Sequence, residues 1–137
     1  MEEEIIKYLG IDWGSSKIGL ALADGETKIA LSYRKLENNK KTILDEIKDI
    51  IIKDEIDIVV VGVPMYLNQE KAVSMGERMG QEIKNTTSVK VVYQNEMFST
   101  KIAEQNLKEK GMKRIKRFDD AEAARVILQS YLDGIMI

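Results

Sequence analysis

The sequence predicts an α/β domain in which a mixed β-sheet is flanked by helices. Near the amino terminus, short apolar segments are separated by turn residues, which is typical of an antiparallel meander. Beyond residue 40, helical and strand patterns alternate, and that order is typical of parallel strands joined by helices. The chain has 137 residues and contains no internal repeat or linker, so we expect residues 1–137 to form one domain.

Three strands, a helix and a buried strand are predicted in the first half of the chain. The strands of the meander are residues 5–11, 17–23 and 27–36. The sequence Asp24-Gly25-Glu26 is a turn signal between the second and the third. Apolar residues then recur at helical spacing over about 41–53. The run 56–64 is almost entirely apolar and β-branched, as expected of a central strand that is buried on both faces.

The second half is predicted to contain three helices and one strand. These are a helix over about 70–84, a strand over 89–94, a short helix from Ser99 or Thr100 to Gly111, and a last helix. Gly76 and Gly80 each weaken the first helix by about 1 kcal/mol relative to Ala, and a close contact with the sheet would explain them. Asp119 and Glu122 fit a capping box at the start of the last helix.

The chain contains neither Cys nor His, and this restricts its chemistry. Disulfides, Cys nucleophiles, His-dependent triads, heme ligation by His or Cys, and zinc fingers are all excluded. A metal site would have to use oxygen ligands, which favours Mg²⁺ or Mn²⁺. No apolar run is long enough to span a membrane. The acidic start Met1-Glu2-Glu3-Glu4 is unlike a signal peptide, so we expect a cytoplasmic protein without a membrane partner.

Asp12 is the most informative residue, because it ends the first apolar run. An unpaired charge buried at the end of a strand costs several kcal/mol, which a metal ion or backbone N–H donors would compensate. Gly14 and Gly19 would let a phosphate or a metal approach the backbone closely. The alternative is an ordinary hairpin turn, in which Asp, Gly and Ser are common.

Two further acids are predicted to join Asp12. Glu96 follows the strand over 89–94, and Asp120 begins the last helix. The carboxyl ends of parallel strands share one edge of a sheet, and carboxylates gathered there repel one another unless a cation lies between them. We therefore expect Asp12, Glu96 and Asp120 to hold metal ions for phosphoryl chemistry. The alternatives are an exposed loop position for Glu96 and a helix-dipole role for Asp120, and the roles of Asp119 and Asp120 as cap and ligand could be exchanged.

A basic segment precedes the last helix. Lys113, Arg114, Lys116 and Arg117 lie within residues 108–117, although the whole chain has a net charge of -2. Such a run is usually a solvated loop. Beside acidic metal ligands it could instead hold the backbone of a polyanion.

Four motifs in order resemble the YqgF family, also called RuvX. They are Leu9–Gly14 running on to Ile18–Ala21, Val60–Pro64, Asn95–Thr100, and Asp120–Ala124 running on to Leu132. The family comprises small RNase H-like proteins described as candidate Holliday junction resolvases and as nucleases that process pre-16S rRNA. The resemblance implies a five-stranded mixed sheet flanked by helices, and metal-binding catalytic roles for Asp12, Glu96 and Asp120.

The sequence departs from the family pattern around the implied site. Lys17 stands where the family usually has Arg; it keeps a charge for contact with nucleic acid but lacks the bidentate fork of Arg. Asn95 and Met97 replace the Asp and Arg that flank the glutamate. The Gly expected a few residues beyond Pro64 is missing.

The leading hypothesis is a Mg²⁺- or Mn²⁺-dependent nuclease that acts on structured nucleic acid, either RNA or branched DNA. A second is a non-catalytic nucleic-acid-binding module of the same fold. A third is an actin- or sugar-kinase-like ATPase, which would need a second lobe that 137 residues cannot supply. The sequence is compatible with a monomer or a homodimer.

Overall fold

The computed structural model describes residues 4–39, 41–63, 75–95 and 120–135. The strands are β1 Lys7–Trp13, β2 Lys17–Asp24, β3 Leu31–Glu37, β4 Ile58–Val63 and β5 Lys90–Asn95. The helices are α1 Ile43–Lys53, α2 Met75–Thr86 and α3 Asp120–Ile135. Among these residues, no helix is long and apolar enough to cross a bilayer. The predicted short helix from Ser99 or Thr100 to Gly111 lies outside the described residues.

The five strands form one mixed sheet in the order β3-β2-β1-β4-β5. The pairs β1–β2 and β2–β3 are antiparallel, whereas β1–β4 and β4–β5 are parallel. The predicted meander and the predicted parallel section are therefore both confirmed. Ile11, Val61 and Tyr93 lie in register across the parallel strands, so β1, β4 and β5 end at the same edge of the sheet.

Helices cover both faces of the sheet. Four isoleucines of α1 and Ile83 of α2 pack with Ile11, Val61 and other buried strand residues on one face. The apolar side of α3 packs with Tyr8, Val60 and Ala21 on the other. Because successive strand residues point to opposite faces, a strand covered on both sides is apolar at nearly every position. This explains the run Ile58–Val63, whose middle four residues are all buried.

Two glycines bring α2 close to the sheet. A Cβ atom added to Gly76 would lie 2.8 Å from the carbonyl oxygen of Gly62, and one added to Gly80 would lie 2.7 Å from the hydroxyl of Tyr93. Real Cβ atoms do not approach other heavy atoms so closely. The close contact expected at these two glycines is confirmed.

The helix α3 crosses β2 and β1 on the opposite face. A Cβ atom at Gly10 would lie 2.8 Å from the Cβ of Leu128, so glycine is required at this crossing. Gln129 fastens the middle of the helix to the segment before β3: its side chain accepts a hydrogen bond from Ala30 N (2.8 Å) and donates one to Lys28 O (3.1 Å). These contacts fix where the amino terminus of α3 lies.

Candidate active site

Asp12 lies in β1, next to its last residue, rather than after the strand as the sequence had indicated. The strand continues because Trp13 pairs with Ile18 of β2, and Asp12 pairs with Gly19. Side chains alternate along a strand, and Tyr8 packs against the α3 face. Asp12 is four residues further on and points to the same face, where it is partly buried.

The first turn of α3 lies directly on Gly19. A Cβ atom there would collide with the backbone of Asp120, so the helix can start at this place only because residue 19 has no side chain. Cross-strand Cα atoms are about 4.5–5.5 Å apart. The Cα of Asp12 therefore lies within about 10 Å of the Asp120 carbonyl oxygen, and the Ser32 hydroxyl donates to Ala121 O (3.2 Å) beside it.

Gly14 and Gly19, the two glycines that follow Asp12, each lie in close contact with protein backbone. The space beside Gly19 is filled by Asp120, and a Cβ at Gly14 would lie 2.5 Å from the carbonyl oxygen of Lys17. Gly14 N also donates a hydrogen bond to that oxygen (2.9 Å), which closes the β1–β2 turn. Both glycines are therefore needed for contacts with protein backbone, and the approach of a phosphate or a metal stays a prediction.

Glu122, near the start of α3, is neutralised within its own helix. Its two carboxylate oxygens accept hydrogen bonds from Nε (3.0 Å) and Nη2 (2.6 Å) of Arg125. The bond to Glu122 raises the pKa of the Arg125 guanidinium above its usual value. The bidentate ion pair engages both carboxylate oxygens, and the capping-box role of Glu122 stays a prediction. Its partner in that box, Asp119, lies outside the described residues.

The third predicted acid, Glu96, lies outside the residues that the structure describes. Glu96 follows Asn95, the last residue of β5, whose partner in β4 is Val63. β5 therefore ends at the edge where β1 and Asp12 end, but Glu96 itself is outside the described residues. Within the described ranges, no group of three or more Asp or Glu residues comes together in an arrangement suited to a metal. The structure puts the backbone of Asp120 against Gly19, the cross-strand partner of Asp12, and does not describe Glu96.

Of the residues predicted to contact nucleic acid, the structure describes only Lys17. The Nζ atom of Lys17 lies 2.9 Å from Oε1 of Glu37, in an ion pair that is about half exposed on the lysine side. The residues Lys113, Arg114, Lys116 and Arg117 are outside the described part of the chain. Lys35 is a further candidate for contact with nucleic acid. It is an exposed residue that pairs with Gly19, and so it shares a cross-strand row with Asp12. Only the register of the hairpins could have revealed it.

The model of the family described as "RuvX: Holliday junction resolvase" matches residues 6–134. The chain belongs to the RuvX family. A similar protein from Rickettsia canadensis (strain McKiel), named as a candidate pre-16S rRNA nuclease, is 34% identical over 136 residues, which cover 94% of this chain and 87% of that protein. A protein of the same name from Mycoplasma mobile is 29% identical over 137 residues, covering 96% and 95%. The resemblance found in the sequence is confirmed, and the family and these names identify a nuclease.

Solved structures confirm the RNase H-like fold of this RuvX-family chain. RuvC of Thermus thermophilus in complex with a Holliday junction substrate is similar with a TM-score of 0.59 and 14% identity, covering 96% of both chains. The Fowlpox virus resolvase in complex with Holliday junction DNA is similar with a TM-score of 0.62 and 13% identity. The match covers 96% of this chain and 100% of the resolvase chain. Family membership also decides against the kinase-like alternative.

Proposed function

We propose that this RuvX-family chain is a divalent-metal-dependent nuclease whose catalytic acids are Asp12, Asp120 and Glu96. The observation that carries the proposal is the contact of Gly19 with the start of α3. This contact holds the first residue of the helix beside the strand position of Asp12. Because residue 19 has no side chain, the start of the helix comes close enough to β2 for the two acids to lie near each other.

The donor atoms fit a hard cation. Asp12 and Asp120 offer carboxylate oxygens at one end of one face, and the whole chain has no His or Cys that would favour a softer metal. If these two side chains converge as proposed, their carboxylates repel each other unless a cation lies between them. Mg²⁺ and Mn²⁺ are the ions that prefer such ligands. With Glu96 at the end of β5 as a third ligand, the set would match the one that the sequence predicts.

A bound divalent metal would supply the charge stabilisation that phosphodiester hydrolysis needs. Asp12 and Asp120 would hold and orient it, with Gly19 setting the spacing between the strand and the helix. Lys17 of β2 and Lys35 of β3 would contact the nucleic-acid backbone. The chain has no imidazole to accept the proton of the attacking water, so that proton would pass to solvent or to a substrate phosphate.

The substrate we favour is precursor 16S rRNA in the cytoplasm. The supporting observation is that relatives named for this activity align with nearly the whole chain at 29–34% identity. A branched DNA junction is the second candidate, because the family model is described by that activity. We further propose that residues 1–137 act as a single domain, as a monomer or a homodimer.

A non-catalytic binding module of the same fold is the alternative. Two features favour it: Lys17 is engaged by Glu37, and Met97 offers no phosphate contact where the family usually has Arg. Both features concern how the substrate is positioned, and neither removes a catalytic acid.

A cleavage assay on pre-16S rRNA fragments and on four-way DNA junctions, with Mg²⁺ or Mn²⁺, tests the proposal. Asp120→Asn keeps the shape of the side chain but removes a charge that would help to hold the metal. Cleavage should fall by orders of magnitude, while the helix start loses at most about 1 kcal/mol. Asp12→Asn should behave in the same way.

Asp119→Asn is the matched control, and it should leave activity largely intact. If Asp119→Asn abolishes cleavage and Asp120→Asn does not, the two assignments are exchanged and the nuclease stands. Wild-type protein that never cleaves either substrate, and that binds them equally with and without metal, would establish the binding module instead.

A further inference from the structure

A second concave site opens at the same edge of the sheet, on the opposite face. Its volume is about 530 Å³, within the range of small-molecule pockets. Its apolar walls come from Trp13 of β1, Ile43 of α1 and Met79 of α2. Its polar groups are Asn38, which follows β3, and Arg78, Gln81 and Glu82 of α2. None of these residues was predicted from the sequence to belong to a functional site.

Trp13 links the pocket to the candidate active site. It is the residue after Asp12, and since strand side chains alternate, it points to the other face, where it packs beside the α1–α2 core. Its ring lies next to the first turn of α2, because a Cβ on Gly76 would be 3.5 Å from Trp13 Cδ1. A ligand that spans this edge of the sheet can therefore contact Asp12 on one side and the indole on the other.

The indole N–H of Trp13 is a second feature that favours a ligand at this pocket. Nε1 of Trp13 is buried and has no hydrogen-bond partner among the residues that the structure describes. An unsatisfied buried donor costs about 1–3 kcal/mol. A ligand acceptor that reached this N–H after a small shift of the ring would recover that energy.

The charges of the pocket favour a base over a phosphate. Arg78 offers N–H donors and Glu82 offers carboxylate acceptors, so the rim presents both kinds of hydrogen-bonding group. The carboxylate would repel a phosphate. The edge of a nucleobase, in contrast, presents donors and acceptors together, and arginine and glutamate are among the side chains that recognise bases. The flat face of a base also stacks on aromatic rings.

We propose that this pocket binds one unstacked nucleobase of the substrate, beside the phosphodiester bond that is cleaved. The proposal rests on the proposed function and adds how the substrate is held: its backbone crosses the edge of the sheet at Asp12, and a neighbouring base enters beside Trp13. Proteins that bind single-stranded or unpaired nucleic acid commonly stack such a base on an aromatic side chain. The pocket would thus select substrates in which a base can leave its stack.

Trp13 is the single tryptophan of the chain, so its fluorescence reports on the pocket directly. The wild-type protein is titrated with a mixed-sequence single-stranded oligonucleotide in EDTA, where no metal-dependent cleavage occurs. The matched probe is an oligomer of equal length with the same sugar-phosphate backbone and no bases. We expect the first to quench Trp13 saturably, and the second to bind without changing the emission.

Arg78→Gln tests the rim of the pocket. Arg78 is exposed, so the variant should fold. Its affinity in the quenching titration should fall about tenfold, the value of one good side-chain–base contact. Lys84→Gln removes the same charge from an exposed position in the last turn of α2 that does not line the pocket. It should change the affinity less than about twofold, in line with the small effect of one distant surface charge.

The outcomes separate this inference from the proposed function. Equal quenching by both probes, or no quenching by either, overturns the base pocket even if the protein cleaves nucleic acid. The second of these results is also the one expected if the pocket holds a protein partner. Quenching that requires bases and that Arg78→Gln weakens supports the pocket even if no cleavage is found. Equal decreases in affinity for Arg78→Gln and Lys84→Gln would mean that Arg78 acts only through its positive charge. That result would contradict a direct contact between Arg78 and a base.

Discussion

Gly19 shows how much of the candidate site depends on one missing side chain. It lies opposite Asp12 in β2, and the backbone of Asp120 fills the space in which a Cβ atom would stand. The contact is with backbone rather than with a flexible side chain, so it cannot be relieved by a change of rotamer. Any larger residue at this position must move α3 away from the sheet.

Gly19→Ala should therefore damage both stability and activity. Forcing a methyl group into a packed contact costs about 1–3 kcal/mol in the free energy of unfolding. Displacement of Asp120 by about 1 Å should lower cleavage by about a hundredfold. Thermal melts and the cleavage assay measure the two effects.

Gly134→Ala is the control for that substitution. Gly134 lies in the last turn of α3, and a Cβ there would have nothing within 4 Å. Ala is a better helix former than Gly, so this variant should gain up to about 1 kcal/mol and keep its activity. A Gly19→Ala protein that melts and cleaves like the wild type would show that α3 does not set the position of Asp120.

Among the elements, the turn after β2 is held by one carboxylate. Oδ1 of Asp24 accepts hydrogen bonds from Thr27 N (2.8 Å), from Glu26 N (3.0 Å) and from the Thr27 hydroxyl (3.2 Å). The bond from the Thr27 backbone is the main reason that the pKa of Asp24 lies below its ordinary value of 3.8. The turn signal in the sequence thus corresponds to a side chain that organises the loop before β3.

The lowered pKa of Asp24 predicts a pH dependence of stability. The folded protein binds a proton at Asp24 less readily than the unfolded chain does, so the stabilisation is fully present above the unfolded pKa. It is lost as the pH falls below about 4, through the folded pKa. Asp24→Asn should be less stable than the wild type at pH 7, and the difference should shrink in urea titrations at pH 3. A difference that stays constant with pH would mean that the charge of Asp24 does not matter.

The order of the elements could be predicted from the sequence, because each of them leaves a local pattern. β4 is a run of β-branched residues, and α1 repeats isoleucine at helical spacing. The purpose of Gly19 could not be predicted in this way, since its partner is a helix that begins about a hundred residues later in the chain. The ion pair of Glu122 with Arg125 could not be predicted either, because its three-residue spacing is the same as that of a capping box.

At the scale of the whole molecule, the net charge is -2, so attraction to nucleic acid must come from local positive regions. The basic residues before α3 are the strongest cluster of this kind in the sequence. Replacing Lys113, Arg114, Lys116 and Arg117 with Gln should weaken binding. It should also flatten the dependence of the binding constant on salt, by about one unit of log–log slope for each phosphate that the variant no longer neutralises.

A control variant changes the net charge by the same amount but at other positions. Replacing Lys48, Lys53, Lys84 and Lys90 with Gln removes four positive charges from α1, α2 and β5. Binding titrations over a range of salt concentrations should show a smaller decrease of slope in this variant. Equal decreases would make the basic segment an ordinary solvated loop.

The contact between Gly19 and α3 also bears on what happens while the protein is being made. A nascent chain leaves the ribosome amino terminus first, so the β1–β2 hairpin with Asp12 emerges long before Asp120 does. Until α3 emerges and docks on Gly19, a growing chain has only part of the proposed set of catalytic acids. An unfinished polypeptide would therefore be harmless to the rRNA that surrounds it, and cleavage would begin only once translation has delivered the last helix.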